Sequence, residues 1–208
     1  MSSRTRQQLE AWLKQIDIKG SVLDIGGSQN PIKGRTKTWN ATEYKILDLK
    51  QPHECRQNPD YIGNIEDSQD IQWDIFKDRC IWDKAFWPEP NYHFDAFDNV
   101  FMLEVSEYLI NPLLALDNIN KLLKKDGLFY SSWHFIYPQH PPKGLDYLRY
   151  TPDGVEKLLT ETGFEILEHI PRRTEVVDLK EVWSAEKMRG WKDFDNKIIG
   201  SLVKARKL

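Results

Sequence analysis

The chain has 208 residues, of which 40% are hydrophobic and 29% are charged, and its formal net charge is −3. This length and composition are typical of one folded domain with a substantial core, and they exclude an intrinsically disordered chain. The slight acidic excess argues against a broad nucleic-acid-binding surface, and no run approaches the ~18 apolar residues of a membrane-spanning helix. We therefore expect a single domain over residues 1–208 with neither a nucleic-acid nor a membrane partner.

The predicted elements alternate between helix and strand. An amphipathic helix is predicted over residues 4–15, with Gly20 ending it. Apolar and β-branched runs predict strands over residues 21–25, 44–49, 61–65, 94–103, 128–135, 164–170 and 198–203. Further helices are predicted over residues 111–125, which Gly127 stops, over 151–162 and over 178–189. This alternation predicts an α/β domain with a mostly parallel sheet.

One long connection interrupts the alternation. Within residues 71–92, five large aromatic side chains precede two prolines. Such a segment suits an insertion that forms a pocket wall or lid. The alternative is a helix whose aromatic side chains pack on the sheet.

Cysteines, histidines and the N-terminus give expectations about location and metals. Cys55 and Cys80 fit neither a disulfide framework nor a zinc-ligand spacing, and residues 1–8 lack the apolar core of a secretory signal. The histidines His53, His93 and His169 are not spaced from acids or cysteines in the way that metal ligands are. We expect reduced thiols, a cytoplasmic location and no bound metal.

The segment 21–28 is the most informative motif. A short apolar strand carries Asp24 near its carboxyl end and runs directly into Gly26 and Gly27. Ligands of open parallel sheets bind at that edge, and glycines let a ligand lie against bare backbone. A carboxylate beside such a turn suits a ligand with a cationic amine and polar hydroxyl groups. Alternatively, Asp24 caps nearby backbone N–H groups.

Several motifs in the same order resemble those of class I S-adenosylmethionine-dependent methyltransferases. They are the glycine turn at 22–28, an acid at Asp48, the fourth-strand segment 94–105, the entry to the fifth strand at 122–128, and the segment 146–164. The resemblance spans residues 20–204. It implies a Rossmann-like three-layer sandwich with a seven-stranded, mostly parallel sheet whose last strand is antiparallel.

The resemblance also implies S-adenosyl-L-methionine as cofactor. Asp24 would bind its ammonium group, Asp48 its ribose hydroxyls and the Asn64 amide its adenine. The implied cofactor-binding set is Asp24, Gly26, Gly27, Ser28, Asp48, Leu49, Asn64, Ile65, Phe101 and Met102. Three positions depart from the family pattern: Ser28 replaces a glycine, Asn64 replaces an acid, and Val105 and Ser106 stand where a histidine is common.

A dinucleotide is the rival ligand. Its fingerprint needs G-x-G-x-x-G opening a helix, so that a pyrophosphate lies on the helix N-terminus. Here Pro31 follows shortly after Gly26 and Gly27, and Asp24 would repel a pyrophosphate. These features favour the sulfonium cofactor.

For catalysis, we expect a small-molecule or sugar-like acceptor that is methylated at oxygen by a monomer or homodimer. A hydroxyl acceptor needs a base, for which His140 is the first candidate and His134 the second, unless His134 faces the core and His140 the surface. Tyr147 and Arg149 are predicted to line the acceptor site. Two other hypotheses remain: a non-catalytic methyltransferase-like binding or scaffold module, and a nicotinamide-dependent oxidoreductase.

Overall fold

The computed structural model describes residues 3–52, 55–67, 95–139, 144–174 and 197–208. The predicted lid at 71–92 and the predicted helix at 178–189 lie outside these residues. The described helices are α1 (Arg4–Leu13), α2 (Pro112–Leu122) and α3 (Pro152–Glu161). The strands are β1 (Asp17–Ile25), β2 (Thr38–Asp48), β3 (Tyr61–Ile62), β4 (Phe97–Met102), β5 (Leu123–His134), β6 (Phe164–Arg173) and β7 (Ile198–Lys207).

These strands form one seven-stranded sheet in the order β3-β2-β1-β4-β5-β7-β6. Strand β1 pairs in parallel with β2 and β4, and β7 pairs antiparallel with β5 and β6. The predicted mostly parallel sheet with an antiparallel last strand is therefore confirmed. The chain leaves β1 toward one side of the sheet and later returns to its other side at β4. At such a switch point the carboxyl ends of the strands border a ligand-binding crevice.

Helices cover both faces of the sheet, which confirms the three-layer arrangement. On one face, Leu9 and Leu13 of α1 pack with Phe101 and Tyr130, whose rings stack with centroids 4.5 Å apart. On the other face, α2 and α3 bury a larger core that includes Ala115, Leu116, Ile119, Val155, Leu159, Phe129 and Trp133. Both cores exclude water from the sheet and hold the strand ends in register.

Two glycines have roles other than the predicted ones. Gly20 lies within β1, where a side chain would collide with Asp98, since an added Cβ would lie 2.3 Å from Asp98 Oδ2. The Asp98 carboxylate accepts a hydrogen bond from the Ser21 N–H at 2.7 Å, across from a register shift in the strand. Gly127 lies inside β5, because Leu123 pairs with Phe97 and the strand begins directly after α2. The predicted helix ends at Gly20 and Gly127 are therefore wrong.

The connection between β1 and β2 contains turns and bends but no helix across residues 26–37. It turns tightly at Gly26 and then buries Ile32 in the core beneath α1. A dinucleotide fingerprint requires a helix N-terminus directly after the glycine turn to bind the pyrophosphate. This connection supplies none.

Candidate functional site

A cavity of about 640 Å³ lies at the carboxyl edge of the sheet. The strand ends supply its wall in turn: Gly26 after β1, Asp48 from β2, Asn64 after β3, Glu104 after β4 and Tyr137 after β5. This is where open α/β sheets bind ligands. The volume suits a molecule of small-ligand size.

The glycine turn packs tightly against the segment that follows β4. Gly26 has a φ of +74°, and an added Cβ would lie 2.4 Å from Val105 Cγ2. Its N–H donates to the Leu47 carbonyl at 2.8 Å. Gly27 has no space for a side chain either, because an added Cβ would lie 2.5 Å from Asp24 Cγ. The turn therefore presents bare backbone to the cavity at Gly26.

Asp24 is buried beneath this turn and is not among the residues that line the cavity. Its Oδ2 accepts hydrogen bonds from the Ile32 N–H at 2.8 Å and from the Tyr44 hydroxyl at 2.7 Å, and the residue is 3% exposed. Burial raises the pKa of Asp24 to about 6, against the lowering effect of these two donors. These contacts match the alternative in which the carboxylate caps backbone, and its predicted bond to a ligand ammonium stays a prediction.

Asp48 does line the cavity. Its two carboxylate oxygens accept from the Ser28 N–H at 3.1 Å and from the Leu49 N–H at 2.8 Å. Leu49 lines the same wall and is 48% exposed. This pair therefore offers a fixed carboxylate beside an apolar surface, as a bound nucleoside would need.

The remaining predicted cofactor residues divide into two groups. Asn64 and Ile65 line the cavity, where the Asn64 amide oxygen accepts from the Glu66 N–H at 3.0 Å. Ser28, Phe101 and Met102 are fully buried and do not line it. Ser28 packs within the loop that follows β1, and Phe101 and Met102 pack in the core beneath the site.

A buried charge cluster, formed by Glu104, Glu107, His134 and Arg172, lies against the β4 and β5 side of the cavity. The His134 Nε2 lies 3.3 Å from Glu104 Oε2 and 3.4 Å from Glu107 Oε1. Arg172 donates to Glu104 Oε1 at 2.8 Å. Glu104 lines the cavity with its side chain 23% exposed, whereas the side chains of the other three are at most 2% exposed.

The contacts in the cluster shift the pKa values of His134 and Glu104. Burial opposes the positive charge of His134, but the hydrogen bonds and charges of Glu104 and Glu107 outweigh it and raise the pKa of His134 to about 9. Burial likewise opposes ionisation of Glu104, yet His134 and Arg172 hold the pKa of that carboxyl well below its usual range. At neutral pH, Glu104 is therefore an anion and His134 a cation.

His134 is therefore poorly suited to the predicted role of general base. Its ring stacks on Tyr137 with centroids 4.2 Å apart, and Tyr137, not His134, lines the cavity. A protonated imidazole between two carboxylates has no free lone pair to accept a proton. The other candidate, His140, lies outside the described residues.

The two predicted acceptor residues have different environments. Tyr147 lines the cavity and is 47% exposed. Every nitrogen of the Arg149 guanidinium instead donates within its own neighbourhood, to the Asp146 carboxylate and to the carbonyls of Tyr137, Pro138 and Leu148. Arg149 thus ties two segments of the wall together, and its predicted contact with substrate stays a prediction.

Tyr147 belongs to a group that we call the acceptor wall. Its members come from the segments after β4 and β5 and line the cavity: Tyr108, Ile110, Tyr137, Leu145 and Tyr147. Ile110 and Leu145 are 72% and 47% exposed. Large apolar side chains exposed around a cavity are typical of a ligand-binding surface.

Glu104, Glu107 and Arg172 were not among the site residues predicted from the sequence. Glu104 follows β4 directly at the carboxyl edge, so the rule applied to Asp48 would have found it. Arg172 comes from β6, and no local signal connects it to Glu104.

The described residues contain no helix long and apolar enough to span a membrane. Within the same residues, no group of three or more His, Cys, Asp or Glu side chains is arranged to hold a metal ion.

No protein-family model and no curated protein matches the sequence. Solved structures do match. An S-adenosylmethionine-dependent methyltransferase from Mesorhizobium loti is 13% identical, with a TM-score of 0.57 and coverage of 99% of both chains. A Haloferax volcanii protein solved with the Trm112 methyltransferase activator is 15% identical, with a TM-score of 0.57, and the match covers 98% of this chain and 88% of that one. The [4+2]-cyclase SpnF is 14% identical at a TM-score of 0.57, with 98% and 80% covered.

These structures share the fold of this chain at 13–15% sequence identity. Together with the cavity at the switch point between β1 and β4, they confirm the architecture that the motifs predicted. The chain has the fold of the class I S-adenosylmethionine-dependent methyltransferases.

Proposed function

We propose that this protein is an S-adenosylmethionine-dependent methyltransferase that acts on a small-molecule acceptor. The observation that carries the proposal is one cavity whose wall joins the Gly26 turn and Asp48 to the acceptor wall. Donor and acceptor must lie in contact for methyl transfer, and a shared cavity of this volume allows that contact.

The described residues fit the cofactor. Gly26 presents backbone where any side chain would strike Val105, so a ligand can approach the turn closely. Asp48 offers a carboxylate for ribose hydroxyls, and Leu49 offers an apolar surface beside it. When bound, the cofactor supplies an electrophilic methyl group on a sulfonium.

The acceptor wall would hold and orient the acceptor. Tyr108, Tyr137 and Tyr147 each combine an aromatic face with a hydroxyl group, which suits a ring that carries polar substituents. Their packing would also exclude water from the reacting atoms. Within this class we propose transfer to oxygen, on a hydroxyl of a small or sugar-like molecule, with His140 as the general base.

A second candidate is a cofactor-binding module without methyl transfer. The lining of the cavity favours it, because the described part of the wall contains no histidine that could act as base. The similarity to SpnF, a cyclase, indicates that the fold serves other chemistry as well.

Isothermal titration calorimetry with S-adenosylhomocysteine, and separately with NADH, tests the cofactor. We expect S-adenosylhomocysteine to bind and NADH not to bind; the reverse result would contradict the proposal. The enzyme and the module are then separated by measuring S-adenosylhomocysteine formation against panels of phenols, sugars and amines. Turnover of a phenol or sugar supports oxygen transfer, turnover of amines alone refutes it, and no turnover with intact binding favours the module.

A further inference from the structure

We propose that Glu104 provides the negative charge that binds the ammonium group of the cofactor, a contact that the sequence motif had assigned to Asp24. This inference rests on the proposed function, because it concerns the same cavity. It adds a binding residue and names the chemical group that the residue recognises, a primary ammonium.

The position of Glu104 is the first argument. In the register of β1 and β4, Ile25 lies opposite Met102, so Glu104 follows β4 where the glycine turn follows β1. Its neighbour Val105 packs against Gly26 so closely that no Cβ fits between them. The Glu104 carboxylate and the bare backbone of the turn thus belong to one corner of the cavity.

The backbone of Glu104 is the second argument. Its φ is +57°, in the left-handed region that a residue other than glycine seldom adopts. Ser132 holds this conformation, because its Oγ accepts from the Glu104 N–H at 2.7 Å and donates to Glu104 Oε1 at 2.7 Å. A strained residue over-determined by its surroundings, in a cavity wall, indicates a functional placement of its side chain.

The fixed carboxylate is the third argument. Oε1 already accepts from Ser132 and from Arg172 at 2.7 and 2.8 Å. Within the described residues, Oε2 has longer contacts, 3.3 Å to His134 and 3.5 Å to Arg172, and so keeps acceptor capacity for a ligand. The side chain is 23% exposed, whereas the Glu107 carboxylate is completely buried behind it.

The cluster pairs two carboxyl groups, Glu104 and Glu107, with two basic side chains, His134 and Arg172. Of its four members only Glu104 lines the cavity. A ligand ammonium would therefore meet a preorganised carboxylate that has no need to reorient.

Asp24 lacks these properties. Its Oδ2 already accepts two short hydrogen bonds, the residue is 3% exposed, and it does not line the cavity. Burial also favours its neutral form.

The test is a thermodynamic cycle by calorimetry on Glu104→Gln. The two probes are S-adenosylhomocysteine and its analogue in which hydrogen replaces the amino group. We expect the variant to bind S-adenosylhomocysteine at least about tenfold more weakly, since a charge-assisted hydrogen bond is lost, and to bind the desamino analogue within about threefold of the wild type. Glu168→Gln is the matched control, because Glu168 on β6 accepts a hydrogen bond from the Trp12 indole N–H of α1 and does not line the cavity.

The outcomes separate the two proposals. If the wild type does not bind S-adenosylhomocysteine, the proposed function fails. If it binds but Glu104→Gln binds equally well, the function stands and the role of Glu104 is refuted. If the variant loses affinity for both probes to the same extent, Glu104 acts through the shape of the wall and the ammonium contact is equally refuted.

Discussion

Replacing His134 by glutamine removes the central cation of the buried cluster. Two carboxylates then face Arg172 alone, and Glu107 loses the group that lies 3.4 Å from it. Breaking a buried ion pair from one side costs about 3–5 kcal/mol, because an uncompensated charge is left behind. We expect His134→Gln to lower the free energy of unfolding by an amount of that order at pH 7.

The pH dependence of this loss follows from the pKa of His134. The two carboxylates raise it from 6.5 to about 9, so the folded protein binds this proton more tightly than the unfolded chain. The resulting stabilisation is about 3 kcal/mol. It is fully present below about pH 6.5 and is lost as the pH rises through about 9.

Urea unfolding of the wild type and His134→Gln at intervals from pH 6 to 10 measures the effect. The difference between them should shrink by about 3 kcal/mol from pH 6 to 10, chiefly between pH 7 and 9. His169→Gln is the control, since His169 bonds Glu156 and Ser201 away from the cluster, and its difference from the wild type should not follow this course. A pH-independent difference for His134→Gln would show that folding does not change the pKa of His134, which would refute the reasoning.

Three further predictions test the site. Gly26→Ala should destabilise the protein by about 2–4 kcal/mol and weaken S-adenosylhomocysteine binding, because a steric clash with Val105 is added to the cost of the positive φ. The control is Gly34→Ala, which should cost only about 1 kcal/mol because Gly34 has a φ of +83° but nothing within 4 Å of an added Cβ. Asp24→Asn should abolish a fall in stability of about 3 kcal/mol as the pH rises from about 3 to about 7, since burial raises the pKa of Asp24 from 3.8 to about 6 and the folded state favours its neutral form; equal pH profiles would refute this. Tyr147→Ala should raise the KM for the acceptor and leave S-adenosylhomocysteine affinity unchanged, and a matching loss of both would place Tyr147 at the cofactor instead.

The sheet could be predicted from the sequence because its strands are local apolar runs. Element ends were less predictable, as Gly20 illustrates. A glycine after an amphipathic segment normally marks a helix end, but α1 ends earlier, with Lys14 as its C-cap. Gly20 is instead required by the approach of Asp98, a residue distant in sequence. Local patterns contain no information about such a contact.

The same reasoning explains why the motif located the site but not all of its charges. Side chains within a strand stand perpendicular to the sheet and alternate between its faces. Asp24 is inside β1 and faces the same side as Val22, toward Ile32 and α1, so its carboxylate is committed to a layer of the core. Glu104 lies beyond the end of β4, where the chain turns and the side chain is free of that alternation.

An acid inside a strand and an acid just after one therefore differ in burial and in pKa. From the sequence alone, both are classified as residues at a strand end. The inside position loses water, and this desolvation raises the pKa of the acid at Asp24 although its hydrogen-bond donors oppose the shift. The outside position can keep one oxygen toward the crevice while neighbouring cations hold it ionised, as His134 and Arg172 do for Glu104. For a positively charged ligand, the second position is the one that provides a usable charge, and it requires partners from β5 and β6 that only the folded chain brings together.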